Sequence, residues 1–149
     1  MADVRPVFDQ VNLVVGDMDA ALGFYRRLGL TIADPPDWPP GSGARHAEVA
    51  MPNGTRLEFD NHAMVAIWHP DWRDGGNASR VVLNFSLPSR AAVDERYAEL
   101  TAAGHGARRP PHDAFWGSRY AIVQDPDGND VGLMSPMDPA KRSMPRPGR

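Results

Sequence analysis

The chain carries one stretch twice. Residues 43–59 read GARHAEVAMPNGTRLEF and residues 117–133 read GSRYAIVQDPDGNDVGL. A shift of 74 places Gly43 on Gly117, Arg45 on Arg119, Ala47 on Ala121, Val49 on Val123, Pro52 on Pro126 and Gly54 on Gly128. Upstream, a shift of 72 places Asn12 on Asn84, Ala20 on Ala92, Tyr25 on Tyr97 and Leu28 on Leu100. A repeat this long, used twice, means two copies of one supersecondary module rather than a solenoid. The copies differ at one chemically important position, where Glu58 meets Gly132.

Each copy reads as strand, helix, loop and hairpin. Phe8–Val15 alternates its two faces like a strand, and Asp17 or Asp19 can cap a helix over about 19–28 that Gly29 ends. A Pro-rich loop, 33–43, leads to two strands joined by the turn at Met51–Gly54. In the second copy, strand Arg80–Leu87 precedes a helix over about Ser89–Ala103, a loop HGARRPPHDAFWG, and a hairpin through DPDG. Residues 61–79 read as a linker, and 138–149 as a solvated basic, Pro-rich tail. The expected organisation is one domain of two repeats, module one about 8–60 and module two about 80–135.

Composition narrows the function. With 149 residues the chain can bury a core unaided, and its net charge of -3 offers no footprint for nucleic acid. There is no cysteine, which removes disulfides, thiolate metal sites and cysteine nucleophiles and fits a reducing compartment. No long apolar run is present, so a cytoplasmic location without membrane contact is expected. Gly (14) and Pro (15) are frequent enough to favour a turn-rich fold over a helical bundle. Phosphate loops and nucleophile elbows are missing from the sequence.

The segments Gln10-Val-Asn-Leu-Val-Val, Phe24-Tyr25-Arg-Arg-Leu28-Gly29 and Trp116-Gly117 through Asp125-Pro-Asp-Gly128 to Leu133 resemble the vicinal oxygen chelate superfamily of glyoxalases, extradiol dioxygenases and bleomycin-resistance proteins. The resemblance covers about residues 8–135. It implies an α+β fold in which two βαβββ modules form a cup-shaped mixed sheet with flanking helices, usually as a homodimer. It also implies a divalent metal held by one residue on each of four strands. The matching positions here are Gln10, Glu58, Val82 and Gly132. Val82 and Gly132 cannot coordinate, so no metal cofactor is expected; any metal would have to use Gln10 and Glu58.

Turn chemistry gives the register of both hairpins. A type I turn closed by Gly128 in the left-handed region pairs Val123 with Val131 and Ile122 with Gly132. The same register pairs Glu48 with Glu58 and directs His46, Glu48, Arg56 and Glu58 to one face, beside Gln10 and Asn12. Two carboxylates in direct opposition need a shared proton, a cationic partner or a metal. Glu58 is the candidate general base. Trp38, Trp68, Trp72, Phe115 and Trp116 are expected in loops around a ligand pocket, with Val82, Asn84 and Tyr120 on the neighbouring strands. Loop or helix-end positions are expected for His62, His69, His105 and His112. The expected function is metal-independent binding of a small aromatic or drug-like molecule. The alternative is a glyoxalase- or dioxygenase-like lyase or oxidoreductase using Gln10 and Glu58 with substitute ligands or acid–base chemistry.

Overall fold

The structure, a computed structural model, describes residues 10–68, 73–75 and 81–143, with Trp68 described by its backbone alone. The chain divides into two compact units, Met1–Gly75 and Gly76–Arg149. The α+β expectation holds: each unit has a mixed sheet and helices.

In the first unit the strands are β1 (Gln10–Val15), β2 (His46–Ala50) and β3 (Arg56–Asn61), in the order β1-β3-β2. β3 lies parallel to β1 and antiparallel to β2. Helix α1 (Met18–Leu28) starts where the Asp17 carboxylate accepts the Ala20 N–H, which selects Asp17 over Asp19 as the cap. Its apolar stripe is buried: Ala21, Leu22, Phe24 and Tyr25 are inaccessible, and the Tyr25 ring lies 5.0 Å from that of Phe59 on β3. The Pro-rich stretch between α1 and β2 adds no strand, because Pro35, Pro36, Pro39 and Pro40 lack the N–H a ladder needs.

The second unit has four strands, β4 (Val82–Ser86), β5 (Gly106–Asp113), β6 (Arg119–Gln124) and β7 (Asp130–Met134), in the order β4-β7-β6-β5. Helix α3 (Arg90–Ala102) is capped by Ser89 and buries Val93 and Leu100. Ala121, Val123, Val131 and Leu133 are fully buried, as the hairpin register requires.

Both hairpin registers appear as expected, with Glu48 opposite Glu58 and Ile122 opposite Gly132. The two turns are copies of one another. Met51 N–H donates to Thr55 O and Gly54 N–H to Met51 O; 74 residues on, Asp125 N–H donates to Asn129 O and Gly128 N–H to Asp125 O. Gly54 (φ 88°) and Gly128 (φ 84°) occupy the left-handed position that side-chain-bearing residues rarely adopt. The second turn is braced further, since the buried Asp125 carboxylate accepts from Asp127 N, Asn129 N and Asn129 Nδ2 at 2.8–3.0 Å. Asp125→Ala is expected to lower unfolding free energy by about 1–2 kcal/mol, because three bonds to partly hydrated donors are lost together. A urea midpoint unchanged within error would contradict this.

Two expectations need correction. Helix α2 (His62–Trp68) occupies part of the presumed linker, so Trp68 belongs to a helix and not a loop. Strand β5 runs through the presumed loop and includes His112. It is an edge strand whose register shifts between Ala107 and His112, which is how it accommodates Pro110 and Pro111. The start of the tail makes two backbone hydrogen bonds, Asp138 N–H to Gly117 O and Ser143 N–H to Phe115 O, while residues 139–143 stay exposed. Trp72, His69 and the outer ends of the first and fourth predicted strands lie outside the described residues.

Candidate functional site

Alternation along β2 and β3 gathers the polar groups of the first unit. His46 and Glu48 share one face of β2, and Arg56, Glu58 and Asp60 share the same face of β3. On β1, Gln10 is the register partner of Arg56, and Asn12 that of Glu58.

Asp60 is the anchor of this arrangement and was not foreseen. It is 3% exposed, and its two oxygens take separate partners: Oδ1 lies 2.6 Å from His46 Nδ1, and Oδ2 accepts from Asn12 Nδ2 at 2.8 Å. A carboxylate only accepts, so Nδ1 carries the proton and Nε2 of a neutral His46 carries the lone pair. That Nε2 lies 3.9 Å from Glu48 Oε2. His46, Glu48 and Glu58 each bring one ligand atom within 4.8 Å of the others, a donor set able to hold a divalent ion.

Glu58 is 6% exposed, yet its carboxylate accepts no hydrogen bond among the described residues. Its ion partner is Arg56 Nη1 at 3.8 Å, and the same guanidinium donates from Nη2 to Gln10 Oε1 at 2.8 Å. Beside it, the buried Oδ1 of Asn12 also lacks a partner. Buried carboxylates are normally paired and hydrogen-bonded, and Glu58 has the ion pair alone.

A cavity of about 350 Å³ adjoins this cluster, lined by Pro36, Trp38, His46 and Met64. His46 belongs to both. Trp38 is 68% exposed in its loop.

The second unit has answered the same backbone position differently. Tyr120 Oη donates to Asn84 Oδ1 at 2.8 Å. This pair occupies the space above Gly132, where an added Cβ would collide with Asn84 Oδ1 and come within 2.7 Å of Tyr120 Oη. Tyr120 also stacks edge-on with Trp116 (5.2 Å) and His112 (5.9 Å), and Trp116 with Phe115 (5.2 Å). Burial and the negative charge of Asp130, outweighing the lowering effect of Arg109, raise the Tyr120 pKa above its ordinary 10.0. A hydroxyl whose pKa rises on folding contributes stability below the unfolded value, lost as pH climbs through the folded one. The difference between wild-type and Tyr120→Phe absorbance titrations at alkaline pH should therefore have its midpoint above 10.0; a midpoint below that value would contradict the assignment.

Of the expected pocket residues, Gln10, Asn12, Trp38, His46, Glu48, Arg56 and Glu58 belong to the first unit, and Val82, Asn84, Phe115, Trp116 and Tyr120 to the second. Asp60 and Met64 were missed. For Asp60 the signal was present, since it continues the alternation from Arg56 and Glu58.

The model of the Glyoxalase/Bleomycin resistance protein/Dioxygenase superfamily matches residues 7–133, and the chain belongs to that family. An uncharacterised protein of Pseudomonas aeruginosa, PA2024, is 28% identical over 149 residues, covering 97% of this chain and all of that protein. A glyoxalase/bleomycin resistance protein/dioxygenase of Nocardioides has a similar structure (TM-score 0.67, 23% identity, 98% of this chain and 90% of that one). So has a glyoxalase-related enzyme of Fulvimarina pelagi (TM-score 0.69, 21% identity, 89% of each chain). Among the described residues no helix is long and apolar enough to cross a membrane.

The four-ligand metal arrangement of the superfamily does not fit these residues. Val82 is aliphatic, Gly132 has no side chain and its space is taken by Asn84 and Tyr120, and Gln10 holds Arg56.

Proposed function

We propose that this chain binds a small organic molecule with an apolar, aromatic body at the first unit, without a metal. The observation that carries the reading is the place of His46, which lines the cavity with Pro36, Trp38 and Met64 and also stands in the cluster with Glu48 and Glu58. Its size of about 350 Å³ lies at the lower end of ligand pockets, and its walls are apolar apart from His46. Trp38 supplies a flat, exposed surface for stacking. The misfit at Val82 and Gly132 supports the metal-independent reading. The proposal includes a cytoplasmic homodimer, for which sedimentation at micromolar concentration is the direct check.

The test is a thermal-shift screen of chelator-treated protein against indole, tryptophol, tryptamine and indole-3-acetate, with Trp38→Ala as control. Saturating ligand at about 100 times Kd stabilises by roughly 2.7 kcal/mol, which is readily seen. A shift for any compound that Trp38→Ala abolishes supports the reading. No shift for any compound, or shifts only after metal is added, overturns it.

A second reading is favoured by Glu58 itself. A buried carboxylate without a hydrogen bond is suited to taking a proton from a bound ligand. In that case Glu58→Gln loses turnover while binding survives.

A further inference from the structure

We infer that the molecule taken by this site is an organic cation, a primary amine on an apolar body, with its ammonium group seated on Glu48 and Glu58. The inference rests on the binding reading above and adds the charge class of the ligand.

The hydrogen-bonding inventory of the cluster is one-sided. With Nδ1 committed to Asp60, a neutral His46 presents only the lone pair of Nε2. Glu48 and Glu58 present carboxylate oxygens, and Asn12 presents an orphaned Oδ1 beside Glu58. All four are acceptors. A neutral hydroxyl has one hydrogen to offer them, whereas an ammonium has three, in a compact group that carries the compensating charge.

Formal charge points the same way. Glu48, Glu58 and Asp60 bring three negative charges to one strand pair, and Arg56, which donates to Gln10 and lies 3.8 Å from Glu58, brings one positive charge. Protonating His46 would add one more and still leave the cluster negative. Glu48 and Glu58 are direct cross-strand partners, where like charges destabilise a sheet, so a cation between them relieves the repulsion and adds to the single 3.8 Å contact that Glu58 makes with Arg56. A bare metal ion would meet the same electrostatic need through His46, Glu48 and Glu58. It would leave the adjoining cavity of Pro36, Trp38 and Met64 without an occupant. An amine carried on a flat apolar body fills both.

Titration calorimetry of chelator-treated protein with three indoles of matched shape separates the terms. Tryptamine (cationic) is expected to bind at least about tenfold more tightly than tryptophol (neutral), the ratio given by 1.4 kcal/mol, and indole-3-acetate (anionic) most weakly. Glu58→Gln should bring tryptamine to the level of tryptophol while tryptophol itself is little changed. Glu48→Gln, altering an exposed side chain, should narrow the same gap and serves if Glu58→Gln does not fold. Equal affinities of the three indoles overturn the charge assignment and leave the binding reading standing. No binding by any of them overturns both. Stoichiometric Zn²⁺ or Mn²⁺ binding that Glu58→Gln abolishes, together with no preference for tryptamine, assigns the cluster to a metal and overturns the proposal.

Discussion

Gly132→Glu, which would restore the carboxylate position of the first repeat in the second, is expected to destabilise the chain by about 3 kcal/mol and to create no metal site. The clash is with the terminal atoms of Asn84 and Tyr120 rather than with backbone, so the backbone can stay in place while that pair is driven apart. Tyr120 has little freedom to move, held edge-on between Trp116 and His112. Overpacking of this kind typically costs about 1–3 kcal/mol, and bringing a charge among half-buried rings adds to it. Gly132→Ala should show the steric part alone, about 1–2 kcal/mol. Combining it with Asn84→Ala should recover part of that loss, because the side chain in the way is gone. Denaturant unfolding of the four proteins checks this. Strictly additive losses, or a Gly132→Glu protein of wild-type stability that binds one equivalent of metal, would show that the Tyr120–Asn84 pair does not fill the site.

Asp60→Ala is the second large effect, expected near 2–3 kcal/mol and accompanied by loss of ligand binding. Two bonds are lost, from His46 Nδ1 at 2.6 Å and from Asn12 Nδ2 at 2.8 Å, both to a carboxylate that is almost fully buried. Charge-assisted bonds contribute about 1.5–3 kcal/mol each, but the variant no longer buries a charge, and the His46 side chain, 38% exposed, can rehydrate. These offsets keep the net below the sum. The functional consequence is the release of His46, which sets both the cavity wall and the acceptor facing Glu48. Asp60→Asn keeps an acceptor for Nδ1 and should be the milder change in both stability and binding. Equal losses in the two variants would contradict a role through hydrogen bonding.

Much of this was legible in the sequence for local reasons. MPNG and DPDG are turns whose glycine positions set loop length, and loop length sets register, so the Glu48–Glu58 pairing followed from a few residues. Helix α1 was equally readable from its cap and stripe. What escaped were features decided by tertiary context. Pro110 and Pro111 look like loop residues, and β5 exists only because an irregular edge strand tolerates them. The helix over His62–Trp68 is short, and its N-cap, Asn61, whose Oδ1 accepts from Met64 N–H, is also the last residue of β3. The parallel pairing of β1 with β3 is long-range, so nothing local placed Gln10 against Arg56 and away from Glu58. The filling of the space at Gly132 likewise needs β4, β6 and β7 together. Asp60 was the avoidable omission, two residues beyond Glu58 on the same face.

The central claim is that the first unit binds an organic ligand with its own side chains and no metal. The most direct measurement is the affinity of tryptamine for chelator-treated protein, repeated after addition of one equivalent of Zn²⁺ or Mn²⁺. The structure predicts one site per chain, with binding already complete in the chelated protein and unchanged or weakened by metal competing for Glu48 and Glu58. Binding that is absent in the chelated protein and appears on adding metal would contradict it.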